Sequence, residues 1–290
     1  MGFKDERLIY CCPVCQDGFG VYGRSLKCTN NHSYDIAKEG YVNLLLANQK
    51  RSLQPGDNQT MVRHRRQFFD TGLYEPLSDK INEMVADLAN QSGPNKRLDL
   101  LDSGCGEGYF LHRLGAFFVE GKRPSSLHGI DISKFAIKAA AKRDKLVNWA
   151  VASSYDLPIL PDSMDVVLNV MAPFDPAEFG RVLKGNGRVL RVTPGPEHLF
   201  SLRQHIYPNP EKHPLPSNEL AGFTFCDSQR VQFVRHLQNE QIQSLFVMTP
   251  YSWNASAETR EKIMSLPELN ITVDFVLTLF QKASSSNLPL

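Results

Sequence analysis

Residues 98–110 read LDLLDSGCGEGYF, and the reading of the fold starts there. Leu98 to Asp102 is a short apolar run of the kind found in a strand buried on both faces. It breaks into Asp102, Gly104, Gly106 and Gly108, a D-x-G-x-G-x-G spacing. Glycines at this spacing allow a tight turn and let a ligand approach the backbone N–H groups of the helix that follows. A dinucleotide loop would instead carry G-x-G-x-x-G. An aspartate ahead of the glycines adds negative charge where a pyrophosphate would lie, and so suits a ligand bearing an ammonium or sulfonium group. Cys105, inside the loop, reads as a small packing residue and not as a nucleophile.

Working outward, strand and helix patterns alternate. Residues from Gly108 to about Phe118 read as a helix, LHGID (127–131) as a strand, and SKFAIKAAAKRD as a helix opened by Ser133. LVNWAVA and MDVVLNVM (164–171) are further strands, PAEFGRVLK is a helix and GRVLRVT (187–193) a strand. Such alternation predicts an α/β fold with a parallel sheet covered on both faces. Asp131 closes the second strand, where a carboxylate holds a ribose diol. VASSYDLP after the third strand is where an adenine would lie. SQRVQFVRHL and NITVDFVLTLF read as a late antiparallel edge pair, enclosing a helical NEQIQSLFVM and the segment TPYSW.

Upstream, Asp57 is placed to cap a helix over roughly 58–71. Met61, Phe68 and Phe69 define its apolar stripe; Arg63 and Arg66 fall opposite, but Arg65 projects between Met61 and Phe69. An arginine there needs a partner or must reach water, and a salt bridge and a ligand-binding role are both open. Leu77, Ile81, Met84, Val85 and Leu88 mark a second helix.

The 290 residues suffice for one large and one small domain, and hydrophobic and charged fractions of 42% and 22% are ordinary for a globular chain. No signal peptide or membrane-length apolar run is expected, and Glu6 spoils the myristoylation motif that Met-Gly would begin; the reading is cytoplasmic. The last residues, SSSNLPL, are expected to fray. Residues 1–66 hold ten Lys/Arg against six Asp/Glu, and residues 67–290 hold 22 against 25, which points to an anionic partner at the front. Four of six cysteines lie within the first 28 residues. Cys12-x2-Cys15, twelve residues, then Cys28-x3-His32 is zinc spacing, and three thiolates with one imidazole make a closed, structural site. Cys11 falls outside the x2 spacing and reads as a bystander. With no recognition helix, a ribbon that grips RNA shape or phosphate fits better than a DNA reader.

The glycine loop, Asp131, DVVLNV and LKGNGRVL, arriving in that order, resemble the class I S-adenosylmethionine-dependent methyltransferases over about residues 95–283. That resemblance implies a Rossmann-like seven-stranded sheet with the last strand inserted antiparallel. The whole chain, from CPVC…CTNNH through SYDIAKEGYVNLL, RRQFFDTGLYEPL, DSGCGEG, DISKFAIKAAAKR, VASS, MAP and TPGPEHL, resembles the 23S rRNA (guanine-N1)-methyltransferases. The organisation expected is a zinc-binding, RNA-recognising knuckle at 1–36, a connector and helical segment at 37–94, and the methyltransferase domain at 95–283.

By position, the resemblance implies Cys12, Cys15, Cys28 and His32 as structural Zn2+ ligands and Tyr74, Gly106, Glu107 and His198 as contacts to S-adenosylmethionine. The fold argument adds Asp102, Gly104 and Asp131. Tyr74 could attract a sulfonium through its ring face, although a packing aromatic reads equally from the residues alone; His198 could reach the methionine carboxylate. The implied reaction is in-line methyl transfer to N1 of a guanine in a 23S rRNA hairpin, with no metal chemistry. NVMAP stands where related enzymes carry an Asp-Pro-Pro-Tyr type motif, so Asn169, Met171 and Pro173 are the candidates for contacting the base, and the general base stays unassigned. Trp253 and Phe246 could stack on a base, core packing being the better reading for Phe246. Family members divide by which nearby guanine they modify, and the motifs here point both ways. A homodimer is left open and no membrane is expected. A small-molecule methyltransferase is the alternative, disfavoured because a small substrate needs neither a basic front nor a knuckle; a non-catalytic RNA-binding protein retaining the fold is another.

Overall fold

The computed structural model describes residues 3, 8–50, 52–93 and 95–283; the expectations for the first residues and for the tail at 284–290 fall outside that set. The knuckle folds as a three-stranded antiparallel ribbon, β1 (Phe19–Tyr22), β2 (Ser25–Cys28) and β3 (Ser33–Asp35). The connector contributes β4 (Tyr41–Asn43), and the helical segment forms α1 (Gln59–Phe69) and α2 (Glu75–Gln91). The alternating part runs β5 (Leu98–Ser103), α3 (Tyr109–Glu120), β6 (Ser125–Asp131), α4 (Lys134–Arg143), β7 (Asn148–Val151), β8 (Met164–Val170), α5 (Pro176–Val182) and β9 (Leu183–Pro194). After α6 (Phe200–Ile206) come β10 (Phe223–Gln238), α7 (Asn239–Met248), α8 (Tyr251–Asn254), α9 (Ala257–Met264) and β11 (Glu268–Lys282).

The central sheet has the order β10-β11-β9-β8-β5-β6-β7-β4. Its first seven positions are the seven strands expected, and the last strand of the chain, β11, is antiparallel to both neighbours. β10 and β11 form the expected antiparallel pair at one edge of the sheet, with β11 inserted between β10 and β9. One detail differs from the sequence reading. An eighth strand is added by the connector: Tyr41 lies opposite Trp149 in a parallel pairing of β4 with β7.

Alternate residues of each strand feed the two faces of the core. Leu100, Leu168, Leu190 and Val192 pack under α2 and α3 with Leu77, Ile81, Leu111 and Leu114. Leu101, Ile130, Val167 and Val189 pack on the other face with Phe179 of α5. The same cluster takes in Tyr10, Phe19 and Leu26, so the ribbon shares a core with the sheet. Backbone bonds stitch this seam: the Cys11 N–H donates to the Pro158 carbonyl at 3.0 Å and the Leu160 N–H to that of Ile9 at 2.8 Å. The fully buried Tyr10 donates its hydroxyl to the Asn148 carbonyl at 3.1 Å; burying such a side chain is worth roughly 2–3 kcal/mol.

The cap of α1 is Asn58, whose side chain accepts from the Met61 N–H at 3.0 Å. Asp57, expected in that role, instead forms an ion pair with Arg65. Ser133 caps α4 as expected, and Leu77, Ile81, Met84, Val85 and Leu88 are all buried on α2. Among the described residues no helix is long and apolar enough to cross a membrane.

Candidate functional site

The parallel strands β5, β6 and β8 end on one side of the sheet, and a cavity of about 480 Å³ opens there, within the range of small-ligand pockets and at the position open α/β sheets reserve for them. Its floor is the glycine loop. Gly104 has φ +82°, and a Cβ there would meet the Ala172 Cβ at 2.3 Å. Gly108 has φ +83°, and its Cβ would meet Trp149 at 2.8 Å and Ala140 at 2.9 Å. Both positions therefore require glycine twice over, for backbone conformation and for space. The Gly106 N–H donates to Asp131 Oδ2 at 3.0 Å, and the Ser133 N–H to Asp131 Oδ1 at 2.8 Å, so this carboxylate is aimed by both elements that flank it.

Four carboxylates line the cavity; Asp57 is taken by Arg65, and the other three sit in different electrostatic settings. Asp102 is 1% exposed and its Oδ1 has no hydrogen-bond partner. Burial, reinforced by the charge of Asp131, pushes its pKa up to about 8. Asp131 is also raised, chiefly by burial, against the two N–H groups that hold it. Glu107 takes the Arg143 guanidinium at 2.9 Å and 2.8 Å on Oε2, while Oε1 is buried without a partner. Burial lifts its pKa to about 7 against the pull of Arg143. Orphaned buried carboxylate oxygens are costly unless a ligand completes them. Asp102 fits an ammonium group, and Asp131, with lone pairs to spare beyond its two backbone bonds, fits a ribose diol. The donor set therefore suits S-adenosylmethionine.

The walls are apolar and aromatic. Tyr74 is 1% exposed, with its ring centroid 5.2 Å from that of Phe68, 5.5 Å from Phe69 and 5.7 Å from Phe275; it is both a packing aromatic and a wall residue. His198 lies over Phe275 at 4.3 Å, and its Nδ1 accepts from the Asp274 N–H at 3.4 Å. Burial drives its pKa down to about 3, so the ring is neutral and its Nε2 is left as the donor. Arg65 reaches the wall while paired with Asp57 and donating to the Met248 carbonyl at 3.0 Å, so its salt bridge is itself part of the pocket. Cys105 is buried and its thiol is held well above the usual range by burial, which leaves it a packing residue.

The three base-contact candidates separate. Met171 and Pro173 line the cavity, whereas Asn169 does not. Asn169 is 1% exposed, and its amide donates to the Ser103 and Pro173 carbonyls, both at 3.0 Å. It ties the β8 loop to the glycine loop instead of facing a substrate. Met171 adopts φ +50°, a left-handed conformation that costs a side-chain-bearing residue about 1–2 kcal/mol, and the carbonyl tethers of Asn169 hold that loop in place. Residues given no site role from sequence also line the cavity, including Phe69, Tyr109, Phe110 and Ile132. Their only sequence signal was apolar periodicity, which any core residue shares. Ser153, Ser154 and Tyr155, from the VASSYDLP segment, form part of the wall. Phe246 is buried in the core, while Trp253 is 60% exposed at the cavity.

The ribbon carries the second site. The ligand atoms of Cys12, Cys15, Cys28 and His32 lie within 4.8 Å of one another. His32 Nδ1 is 3.4 Å from the sulfurs of Cys12 and Cys28, and the sulfurs of Cys15 and Cys28 are 3.6 Å apart. Bond lengths of about 2.3 Å for Zn–S and about 2.0 Å for Zn–N give a tetrahedron with edges of roughly 3.5–3.8 Å, close to these three separations, so the donor set suits the ion. The hydrogen bond from the Asn30 side chain draws the Cys15 thiol down to about 6, while burial raises that of Cys28 beside it. Cys11 is outside the cluster, its thiol turned to Gln16 Oε1 at 3.7 Å.

A parallel α/β sheet with an inserted antiparallel β11, an acidic glycine loop and a second-strand carboxylate define a class I S-adenosylmethionine-dependent methyltransferase carrying a structural zinc ribbon. The family described as "Methyltransferase domain" matches residues 100–193, and the zinc-ribbon family described as "RlmA, N-terminal" matches residues 10–53. A Bacillus subtilis (strain 168) protein assigned as a 23S rRNA (guanine-N(1)-)-methyltransferase is 32% identical over 271 residues, covering 91% of this chain and 93% of that protein. The 23S rRNA (guanine(748)-N(1))-methyltransferase of Streptomyces fradiae is 29% identical over 280 residues, covering 92% of this chain and 95% of its own. The chain belongs to the 23S rRNA (guanine-N1)-methyltransferase family.

Proposed function

We propose that this protein transfers the methyl group of S-adenosylmethionine to N1 of a guanine in a 23S rRNA hairpin in the cytoplasm. The observation that carries the reading is the mouth of the cavity. Tyr155, Met171 and Trp253 are 58%, 42% and 60% exposed, and all three border the carboxylate-lined pocket. Exposed rings and a soft thioether beside a cofactor cavity are what a splayed nucleobase stacks on.

When bound, S-adenosylmethionine supplies an electrophilic methyl group whose departure leaves a neutral thioether. The protein's part is then to position and to exclude water. In this reading Asp131 receives the ribose hydroxyls, Asp102 faces the ammonium, and neutral His198 donates from Nε2 to the carboxylate. Tyr74 and Phe69 shield the sulfonium from water, and Glu107, held by Arg143, completes the floor. The guanine leaves its stack and rests between Trp253 and the Met171–Pro173 lip, which Asn169 braces. The zinc ribbon, fused to the sheet through Tyr10 and Cys11, offers the rRNA a surface beside the catalytic domain, and the basic excess of the front lies behind it in residues 37–66.

The test is transfer of tritiated methyl groups from S-adenosylmethionine to total rRNA isolated from a strain lacking this activity. Label is expected in 23S rRNA and not in 16S rRNA; absence of label from 23S rRNA would refute the proposal.

A further inference from the structure

Arg191 sits in the middle of β9, opposite Asn169 of β8 on one side and Thr278 of β11 on the other. Thr193 follows two residues along, and so shares its face of the sheet. The Arg191 guanidinium lies 4.6 Å over the Phe174 ring. Phe174 directly follows the Met171–Pro173 lip, and the Met171 N–H donates to the carbonyl of Val192, the residue after Arg191, at 2.9 Å. The cation is thereby tied to the segment that carries the lip, although neither Arg191 nor Phe174 lines the cavity itself.

Its surroundings are incomplete in a specific way. Among the described residues no carboxylate or carbonyl meets the guanidinium, and its Nε is buried without a partner. The hydroxyls of Thr193 and Thr278, one strand away or on the same strand, are likewise buried and unpartnered, Thr278 being 2% exposed. Burial alone moves the Arg191 pKa, downwards, since no acid opposes it. The arginines around it differ. Arg65 is taken by Asp57, Arg143 by Glu107 and Asp70, and Arg230 by Asp274. A planar guanidinium over an aromatic ring, with no carboxylate of its own, keeps its terminal N–H groups for a phosphate, while its buried Nε and the buried threonine hydroxyls lie behind them.

We infer that Arg191, braced by Phe174 and flanked by Thr193 and Thr278, binds a backbone phosphate of the RNA strand next to the methylated guanine. This rests on the RNA reading above. A base turned out of its stack into the cavity leaves its two flanking phosphodiesters at the lip, where a free arginine neutralises one of them and sets how deep the base enters.

The test uses the full-length protein and a synthetic hairpin RNA. Arg191→Gln should raise the RNA KM about tenfold, the loss expected for one charge-assisted contact, while leaving S-adenosylmethionine affinity and melting temperature unchanged. The slope of log KM against log salt should fall by about 0.7–0.9, one phosphate's worth of released counterion. Arg191→Lys should keep the wild-type salt slope while raising KM less, and Arg188→Gln, the same charge change three residues earlier and on the opposite face of β9, should behave as wild type. A neutral methylphosphonate at one linkage flanking the target guanine should raise the wild-type KM about tenfold and that of Arg191→Gln less than about twofold. Equal KM and salt slope for wild type and Arg191→Gln would overturn the inference and leave a buried water as the partner of these groups. Should Arg191→Gln unfold, the methylphosphonate alone decides: no effect on wild type at either flanking linkage overturns it. Failure of the wild-type protein to methylate any 23S rRNA would instead strike the RNA reading itself.

Discussion

Asp102 offers the sharpest test of the cofactor pocket. It is 1% exposed, its Oδ1 is unpartnered, and burial with the neighbouring Asp131 charge lifts its pKa to about 8. In the free protein the carboxyl is therefore protonated below pH 8, whereas an ammonium partner requires it ionised. Ligand binding must then expel a proton, and affinity should climb tenfold per pH unit up to about pH 8. At pH 6, two units below that pKa, the cost is about 3 kcal/mol, or about 100-fold in Kd. Above pH 8 the ligand's own amino group begins to lose its proton, so affinity should peak there. The assay is calorimetry of S-adenosylmethionine binding in buffers of different ionisation enthalpy. At pH 6 about one proton should be released per ligand bound from Asp102, and Asp102→Asn should bind with no proton release attributable to this site and an acid limb shallower by about one decade per pH unit. Glu107, at about 7 and held by Arg143, should contribute equally to both proteins. A wild-type affinity that is flat between pH 6 and 8, or an acid limb unchanged in Asp102→Asn, would refute the reasoning. The sign for stability is opposite: a carboxyl whose folded pKa is raised favours the folded state at low pH and withdraws that contribution as pH rises from about 4 to about 8.

Three further outcomes are expected. The purified chain should hold about one zinc ion, Cys12→Ser should lose it together with thermal stability, and Cys11→Ser should keep it, as measured by elemental analysis and melting; zinc retained by Cys12→Ser would exclude this ligand set. Arg65→Ala should weaken cofactor binding about tenfold by freeing Asp57 and releasing the Met248 carbonyl, each hydrogen bond to a charged group being worth about 1.5–3 kcal/mol, while Arg63→Ala should change it little; equal behaviour of the two variants in calorimetry would contradict the placement of Arg65. Trp253→Ala should lower kcat/KM for RNA by about 1–3 kcal/mol, the value of one base stack, with cofactor affinity intact; an unchanged kcat/KM would remove Trp253 from the base site.

The parts legible in the sequence are those whose signal is local. Asp102 to Gly108 announces strand, turn and helix within one short run, and Cys12 to His32 states a ligand set by spacing alone. Other features depend on partners far along the chain. Asp57 and Asn58 are adjacent acceptors of similar cap propensity; which one caps α1 was decided by Arg65, one helix turn pair away, which claims Asp57. Three residues, Tyr41–Asn43, are too few for a strand pattern, and they become β4 only because β7 offers an open edge. Asn169 looked like a substrate contact because it follows a strand at the right end of the sheet, yet its amide is consumed by carbonyls of Ser103 and Pro173. The seam between ribbon and sheet joins Ile9–Cys11 to residues 158–160, a separation that no periodicity reports. Tyr155, in a loop, and Trp253, in the short α8, carried a faint aromatic signal, but their exposure at the cavity emerged only with the fold.

The central claim is the position of the methyl group. Nuclease digestion of 23S rRNA after reaction with the purified protein, followed by mass spectrometry of the fragments, places the modification on a single nucleotide and identifies the isomer. The expected result is one N1-methylguanine in a hairpin loop of 23S rRNA, dependent on S-adenosylmethionine. A methyl group on another base, on another guanine atom, or on a small molecule and not on RNA would contradict it.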